Sequence, residues 1–234
     1  MTEVLEDQHI ESIPLKGIRG IIAKSLSGAW QAPRVAQTLE VNLRDVMPLI
    51  PAMREASGKK ITITHILLKV LAQVLPEHKG LNGIVSDKTI EHWQSVNLGV
   101  AVNTEVGVVV PVVEYANEKT LETIVDEMGM LANKARQGSL PASAYQGGSF
   151  TVSTLGMTGI DWFTPVLNPP QIAILGVGAV KQKPWVVEGK VEACPVMALS
   201  LVFDHRALDG YQAGLFLADL GRRLEAITAE ALQG

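Results

Sequence analysis

The chain has 234 residues, of which 47% are hydrophobic, and carries a formal net charge of −4 with a pI of about 5.8. This composition is typical of a globular protein with a sizeable core. It excludes a disordered segment, which would be more charged and less apolar. Because no basic stripe is present, nucleic acid is not an expected partner. No apolar run approaches the roughly 20 residues that cross a bilayer, so no membrane association is expected either.

The N-terminus and the single cysteine both bear on the compartment. The start, Met1 to Asp7, is acidic and lacks the apolar core of a signal peptide and the arginines of a transit peptide. Cys194 is the one cysteine of the sequence, which excludes an intramolecular disulfide and suits a reducing compartment. It stands at a predicted strand entry, where a semi-buried thiol is expected rather than a nucleophile. We therefore predict a cytoplasmic protein.

Hydrophobic spacing predicts helices and strands in the first half of the chain. Polar residues predict a flexible N-terminal segment over 1–12. Apolar residues spaced i, i+3, i+4 predict helices, and near-alternation predicts strands. The elements that follow are a helix from Ile18 to Leu26, a strand from Arg34 to Leu43, a helix that begins at Asn42 or Asp45 and is confined by Pro48 and Pro51, and an apolar helix capped by Thr62 or Thr64 that ends near Pro76.

Valine-rich stretches and turn residues predict that the second half consists mainly of strands. Its predicted elements are a long hairpin over 96–113 with its turn at 103–107, a helix from Thr120 to Gln137 followed by Gly138, strands over 149–154, 171–180, 185–188 and 196–203, and a last helix opened by Asp209-Gly210. Helices that interleave with antiparallel-type strands, without a Gly-rich phosphate loop, predict one mixed-sheet α/β sandwich over residues 13–234.

The five histidines do not have the spacing of a metal site. No pair matches a His-Glu-x-x-His motif and Cys194 is alone, so neither a structural nor a catalytic zinc is expected. Polar surroundings predict that His9 and His78 are solvated, and His92 is expected at the surface. His65 lies on an apolar helix and is predicted to be packed or partly buried.

His205 is the candidate with the most informative surroundings. It follows a run of apolar strand residues and precedes a turn into a helix, with Asp204, Arg206 and Asp209 beside it. A strand end that feeds a turn can hold a base rigidly at the edge of a cleft. A turn histidine between two capping aspartates explains the same spacing, and the spacing alone does not choose between the two interpretations.

Five blocks of sequence, in order between residues 13 and about 225, resemble a known family. The segment Asp204-His205-Arg206-Ala207-Leu208-Asp209-Gly210 is similar to the His-x-x-x-Asp-Gly signature of chloramphenicol acetyltransferase and of the dihydrolipoamide acyltransferase components of 2-oxo acid dehydrogenase complexes. The Asp-His-Arg form resembles the second group. The other blocks are Gly17–Ala23, 97–102 with 107–112, Ser149–Met157 and Asn168-Pro169-Pro170-Gln171 with 173–178.

This resemblance implies a chloramphenicol acetyltransferase-like two-layer sandwich with a mixed, largely antiparallel sheet, and a catalytic domain over 13–234. It implies transfer of an acyl group between dihydrolipoyl and coenzyme A thiols, with His205 as general base. A thiol with a pKa near ~8.5 is mostly protonated at neutral pH, and an imidazole with a pKa near ~6.5 is suited to take its proton. The resemblance also implies that Asp209 orients the turn through an arginine, either Arg206 or Arg19.

The resemblance further implies that the Ser153 hydroxyl donates a hydrogen bond to the oxyanion of the tetrahedral intermediate. A strand serine without catalytic role is the alternative. Strand alternation places Thr154 on the opposite face from Ser153. Thr151 shares the face of Ser153, and only the resemblance ranks it lower.

The family forms its site between subunits, so a homotrimer is expected, with the histidine and the serine on different chains. Expected partners are coenzyme A as substrate, a lipoyl group on a separate domain or protein, and the other components of a 2-oxo acid dehydrogenase complex. No metal is expected. Lipoyl and subunit-binding domains are absent, which suits an excised core or a standalone protein. The sequence does not decide whether trimers assemble into a larger hollow core, or which acyl group is transferred. Two alternative functions also stay open: a chloramphenicol-type O-acetyltransferase and a non-catalytic scaffold core.

Overall fold

A seven-stranded mixed sheet carries the candidate residues at its ends. The computed structural model describes residue 12 and residues 14–233. The strands of the sheet are β1 (Arg34–Asn42), β4 (Leu98–Val100), β7 (Val112–Val113), β8 (Phe150–Thr154), β9 (Ala173–Val177), β10 (Lys181–Val187) and β11 (Lys190–Asp204). Their order is β1-β11-β9-β8-β4-β7, and β10 pairs with the first half of β11. Four of the six pairings are antiparallel, whereas β8 runs parallel to both of its neighbours.

Two short hairpins and a set of helices complete the described part of the chain. The hairpins pair β2 (Gly83–Val85) with β3 (Ile90–His92) and β5 (Val102–Thr104) with β6 (Gly107–Val109). The α-helices are α1 (Gly17–Ala29), α2 (Leu49–Ser57), α3 (Ile63–Val74), α4 (Leu121–Arg136), α5 (Gly210–Glu225) and α6 (Ala229–Gln233). None of the helices that the structure describes has the length and apolar character that a membrane crossing requires.

Both faces of the sheet are covered by other parts of the chain, and the packing contacts show to which face a strand side chain points. On one face α3 and α5 pack onto Phe150, Phe203 and other apolar residues in the main core. On the other face Ile174 and Val202 pack against the end of α1 and the loop before β9. Helix α5 approaches β1 closely at Gly221, where an added Cβ would lie 2.8 Å from a methyl of Leu39. A larger residue at this contact would require the Leu39 side chain to shift.

The structure confirms the predicted helices at α1, α3, α4 and α5. Thr62 is the N-cap residue of α3, and Gly138 follows α4 with φ +65°. The predicted start of α2 at Asn42 or Asp45 is wrong. Strand β1 continues to Asn42, and a turn occupies the residues up to Pro48, which is the N-cap of α2.

Two strand predictions are also corrected. The long hairpin over 96–113 is divided into β4, β5, β6 and β7, because only its base joins the main sheet. The strands expected over 185–188 and 196–203 belong to a longer hairpin, in which β10 turns at Glu188-Gly189 into the 15-residue β11. The first residues of β11 are exposed, so they lack the apolar alternation that marks a half-buried strand. Cys194 is buried within this strand.

The predicted environments of the histidines other than His205 are confirmed in part. His92 is exposed, and His65 is partly buried at the start of α3, as expected. His78 was expected to be solvated, but its ring is half-buried, lies edge-on to Phe216 and contacts Asp219 at 3.1 Å. His9 and the flexible segment predicted over 1–12 lie outside the described residues, except for residue 12.

Candidate active site

His205 stands directly after the last residue of β11, where the strand leaves the sheet. Its backbone N–H donates a hydrogen bond to the carbonyl of Pro33 at 2.8 Å, which fixes the turn against the start of β1. The ring lies on the same face as Phe203, with 5.9 Å between the ring centroids, and 42% of the side chain is exposed. It borders an open cavity of about 270 Å³ that Leu208 and Gln212 also line. The histidine is thus held firmly at its backbone and is accessible at its ring.

Asp209 lies beside this ring at the start of α5. One of its carboxylate oxygens is 3.7 Å from Nδ1 of His205, and 75% of the Asp209 side chain is exposed. Asp209 is the N-cap residue of α5, but its side chain makes no capping hydrogen bond. The carboxylate is favoured at this end of the helix by the helix dipole. It is therefore free to turn toward the imidazole and accept a hydrogen bond from Nδ1.

The arginine in the motif binds a different aspartate. The Asp204 side chain is 2% exposed and accepts hydrogen bonds from Nε of Arg206 at 3.0 Å and from Nη2 at 2.7 Å. These hydrogen bonds raise the pKa of the Arg206 guanidinium above its ordinary value. The same guanidinium reaches Asp87, on the loop between β2 and β3, at 3.5 Å. An arginine contact of Asp209, through Arg206 or Arg19, stays a prediction.

Asp204 and Arg206 face a second cavity, on the face of the sheet opposite to α3 and α5. This cavity measures about 330 Å³, and Asp87, Gln171 and the end of α1 also line it. In the sequence, Asp204 is distinguished only by its position next to the histidine. Strand alternation predicts which face it occupies, because the side chain of a residue next to His205 must point to the opposite face of the sheet.

Ser153 is half-buried near the end of β8. Val152 belongs to the main core, so Ser153 and Thr151 point to the other face of the sheet. The Thr151 hydroxyl is buried, donates to Gln171 and accepts from Asn168 at 3.2 Å. The Thr154 hydroxyl accepts from the backbone N–H of Gly156 at 3.3 Å. Among the three hydroxyls, that of Ser153 is the one for which the described residues provide no hydrogen-bond partner.

Ser153 and His205 do not meet within one chain. Ser153 pairs with Gly176 of β9, which pairs with Ser200 of β11. Ser200 precedes His205 by five residues. This separation corresponds to roughly 16 Å along the strand, and two strand spacings add roughly 10 Å across the sheet. The two residues are therefore on the order of 19 Å apart and on opposite faces of the sheet. Any site that uses both must combine two copies of the chain.

Comparison with known proteins identifies the family. The model of the family described as 2-oxoacid dehydrogenases acyltransferase (catalytic domain) matches residues 7–232. The chain belongs to this family. A relative is the dihydrolipoyllysine-residue acetyltransferase component of the pyruvate dehydrogenase complex of Bacillus subtilis (strain 168). It is 38% identical over 216 residues, which are 90% of this chain and 49% of the relative. The chain spans about half the length of the relatives of this kind that it matches.

Solved structures of this family have the same fold. A probable dihydrolipoamide acetyltransferase from Listeria monocytogenes 4b F2365 has a TM-score of 0.90 and 31% identity, covering 95% of this chain and 97% of that one. The dihydrolipoamide acetyltransferase of Azotobacter vinelandii has a TM-score of 0.88 and 34% identity, covering 93% and 92%. A cubic core of the pyruvate dehydrogenase multienzyme complex also has a TM-score of 0.88, with 33% identity and the same coverage.

A chloramphenicol acetyltransferase shares the fold at lower similarity. Its TM-score is 0.53 and its identity 14%, over 86% of this chain and 94% of that one. Together with the family match, this likeness confirms the predicted chloramphenicol acetyltransferase-like sandwich with a mixed sheet. The predicted membership of the acyltransferase family is confirmed as well.

Proposed function

We propose that the chain transfers an acyl group between a dihydrolipoyl thiol and the thiol of coenzyme A. The observation that carries this proposal is the position of His205, whose ring borders an open cavity and has a carboxylate beside Nδ1. Membership of the acyltransferase family and the names of the relatives support the reaction class. Coenzyme A and the lipoyl group are both substrates in this scheme, and the lipoyl group belongs to a separate domain or protein.

In the proposed reaction His205 is the general base. With Nδ1 directed at Asp209, the other ring nitrogen, Nε2, takes the proton of the attacking thiol. The thiolate then forms a bond to the carbonyl carbon of the thioester. When the tetrahedral intermediate collapses, the carbon–sulfur bond to the other thiol breaks, and that sulfur receives the proton back from the imidazolium. A base of this kind contributes roughly 10²–10⁴-fold to the rate.

Ser153 is the proposed donor to the oxyanion that forms on the carbonyl oxygen. Its hydroxyl lacks a partner among the described residues, whereas those of Thr151 and Thr154 are engaged. The Azotobacter structure concerns the role of a serine, a histidine and an asparagine in the catalytic mechanism of that enzyme. In its sequence the histidine follows the serine by 52 positions, and the asparagine follows the histidine by four. Ser153, His205 and Asp209 have the same separations, 52 and four, which supports assigning the roles to these residues.

Asp209 is the proposed orienting residue. The Azotobacter enzyme has an asparagine at the corresponding separation from its histidine. An amide oxygen and a carboxylate oxygen can both accept a hydrogen bond from Nδ1, whereas an amide carries no charge. This comparison favours a role in holding the imidazole orientation over a role in proton relay.

The proposed site is shared between neighbouring subunits of a homotrimer. The separation of Ser153 and His205 within one chain supports this, because it is much longer than the few ångströms that a common substrate carbonyl requires. The cubic core formed by a similar protein supports assembly of trimers into a larger hollow core. In this arrangement the chain works in the cytoplasm with a lipoyl carrier domain and the other components of a 2-oxo acid dehydrogenase complex.

An assay with acetyl-CoA and dihydrolipoamide tests the proposal. We expect formation of S-acetyldihydrolipoamide and free coenzyme A, and the same assay with succinyl-CoA and branched acyl-CoA donors identifies the preferred acyl group. Chloramphenicol in place of dihydrolipoamide is the control for the O-acetyltransferase alternative. Absence of transfer to dihydrolipoamide from all three donors would contradict the proposal and leave a scaffold core as the better explanation.

A further inference from the structure

The backbone around His205 is anchored on both sides, whereas its side chain is 42% exposed. The N–H of Asp204 donates to Ile172, that of His205 to Pro33, and those of Ala207 and Leu208 to the carbonyl of Asp204, over 2.8–3.2 Å. The ring itself has the Asp209 carboxylate at 3.7 Å and the Phe203 ring. The direction of the imidazole therefore depends mainly on the conformation of the turn over residues 204–208.

The side chains of Asp204 and Arg206 stabilise that turn. One carboxylate oxygen of Asp204 accepts from the backbone N–H of Arg206 at 2.9 Å, and Nε and Nη2 of Arg206 bind the two oxygens in a forked arrangement. Because the carboxylate is almost completely buried, its charge needs this partner. The residues immediately before and after His205 are thus bound to each other on the face opposite the imidazole.

We propose that the Asp204–Arg206 pair is a positioning device that holds the His205 imidazole in its reactive direction. The inference rests on the proposed role of His205 as general base. Arg206 also lines the cavity that His205 borders, but the partners of its guanidinium among the described residues are Asp204 and Asp87, so we argue that it acts through the turn. Asp87 is an accessory partner, because its carboxylate is 98% exposed and its contact is 3.5 Å long.

Steady-state kinetics of Arg206 variants test this inference. A displacement of about 1 Å at a reacting group can cost roughly 100-fold in rate, so we expect Arg206→Ala to lower kcat by about 10- to 100-fold while KM for both substrates changes by less than about 3-fold. Arg206→Lys keeps the charge but loses the fork, so an intermediate kcat is expected. Asp87→Asn is the matched control, because it changes an exposed partner of the same guanidinium, and near wild-type kcat is expected.

A double-mutant cycle separates positioning from a general structural role. If Arg206 acts through His205, adding Arg206→Ala to His205→Ala lowers the residual activity by less than about 2-fold. An equal loss in both backgrounds would overturn the inference, and so would a folded Arg206→Ala with kcat within about 3-fold of the wild type. If Arg206→Ala does not fold, Arg206→Lys decides, and an unchanged kcat in that variant overturns the inference.

The His205→Ala variant of the cycle also separates this inference from the proposed function. Wild-type activity in His205→Ala contradicts the role of His205 and therefore the inference that depends on it. An inactive His205→Ala together with a fully active Arg206→Ala leaves the proposed function standing and overturns the positioning role alone.

Discussion

His205 combines a fixed backbone with an open ring, and a general base needs both properties. The backbone is bound to Pro33, while 42% of the side chain is exposed to a cavity that a thiol can enter. We expect His205→Ala to reduce acyl transfer by roughly 10²–10⁴-fold, because the thiol loses its proton acceptor. The variant should unfold at the same denaturant concentration as the wild type, since an exposed ring contributes little to the core. His92→Ala, at another exposed histidine, is the control, and a His205→Ala variant with nearly full activity excludes the role.

A second prediction at the scale of single residues concerns the hydroxyl of Ser153. Removing one oxyanion donor typically costs about 3 kcal/mol in barrier height, so Ser153→Ala should lower kcat by roughly 10²-fold or more. Thr154→Val is the matched control, because it removes a neighbouring hydroxyl on the other face of β8 and should leave kcat nearly unchanged. Rates are measured at saturating acetyl-CoA and dihydrolipoamide. Equal losses in the two variants would show that the effect comes from the strand and not from an oxyanion donor.

At the scale of elements, we expect the stability of the start of α3 to depend on pH. The backbone N–H of Thr62 donates to Nδ1 of His65 at 3.1 Å, which requires a ring without a proton at this nitrogen. Burial lowers the pKa of His65 below its ordinary value of about 6.5. Because the unfolded chain binds the proton more readily, the stability that the neutral ring provides is present above about pH 6.5 and is lost as the pH falls through the lowered pKa.

We therefore expect His65→Gln to remove this pH dependence. Glutamine at the third helical position accepts the same hydrogen bond and does not titrate. A helix cap of this kind typically contributes about 1 kcal/mol, which is the order of magnitude expected for the effect. Urea unfolding at pH 7.5 and 5.5 measures it, with the wild type losing more stability than the variant on acidification. Equal losses in the two proteins would show that His65 does not control the cap.

Local periodicity predicted most of the elements but not their arrangement. The helices α3 and α5 were evident because their apolar residues recur at helical spacing, and Thr62 and Gly138 marked two helix ends. The first residues of β11, 190–193, were not predicted, because they lie in a hairpin with β10 and are exposed on both faces. The strand order also depends on long-range pairing, such as that of β1 with β11, and no local pattern encodes that pairing.

At the scale of the whole molecule, the sequence supplied the candidate residues, and the fold determines which of them can act together. The motif placed His205 and Asp209 on one turn, and the structure brings these two side chains to 3.7 Å. The motif could not show that Asp204 is buried and binds Arg206, because burial depends on the α1 end and the loop that cover that face. It also could not show that Ser153 lies on the opposite face and far from His205, which follows from the register of three strands.

That separation yields a prediction for mixed assemblies. If each site takes its histidine from one subunit and its serine from the next, His205→Ala and Ser153→Ala chains are each inactive alone but complementary together. In a cyclic trimer with random exchange of equal amounts, about one quarter of the interfaces combine an intact histidine with an intact serine, so about one quarter of wild-type activity should return. Acyl transfer is measured after unfolding and refolding the mixture, with the double variant as the inactive control. Subunit exchange is verified by differential tagging. If exchange is complete and activity does not return, the two residues do not share a site across subunits.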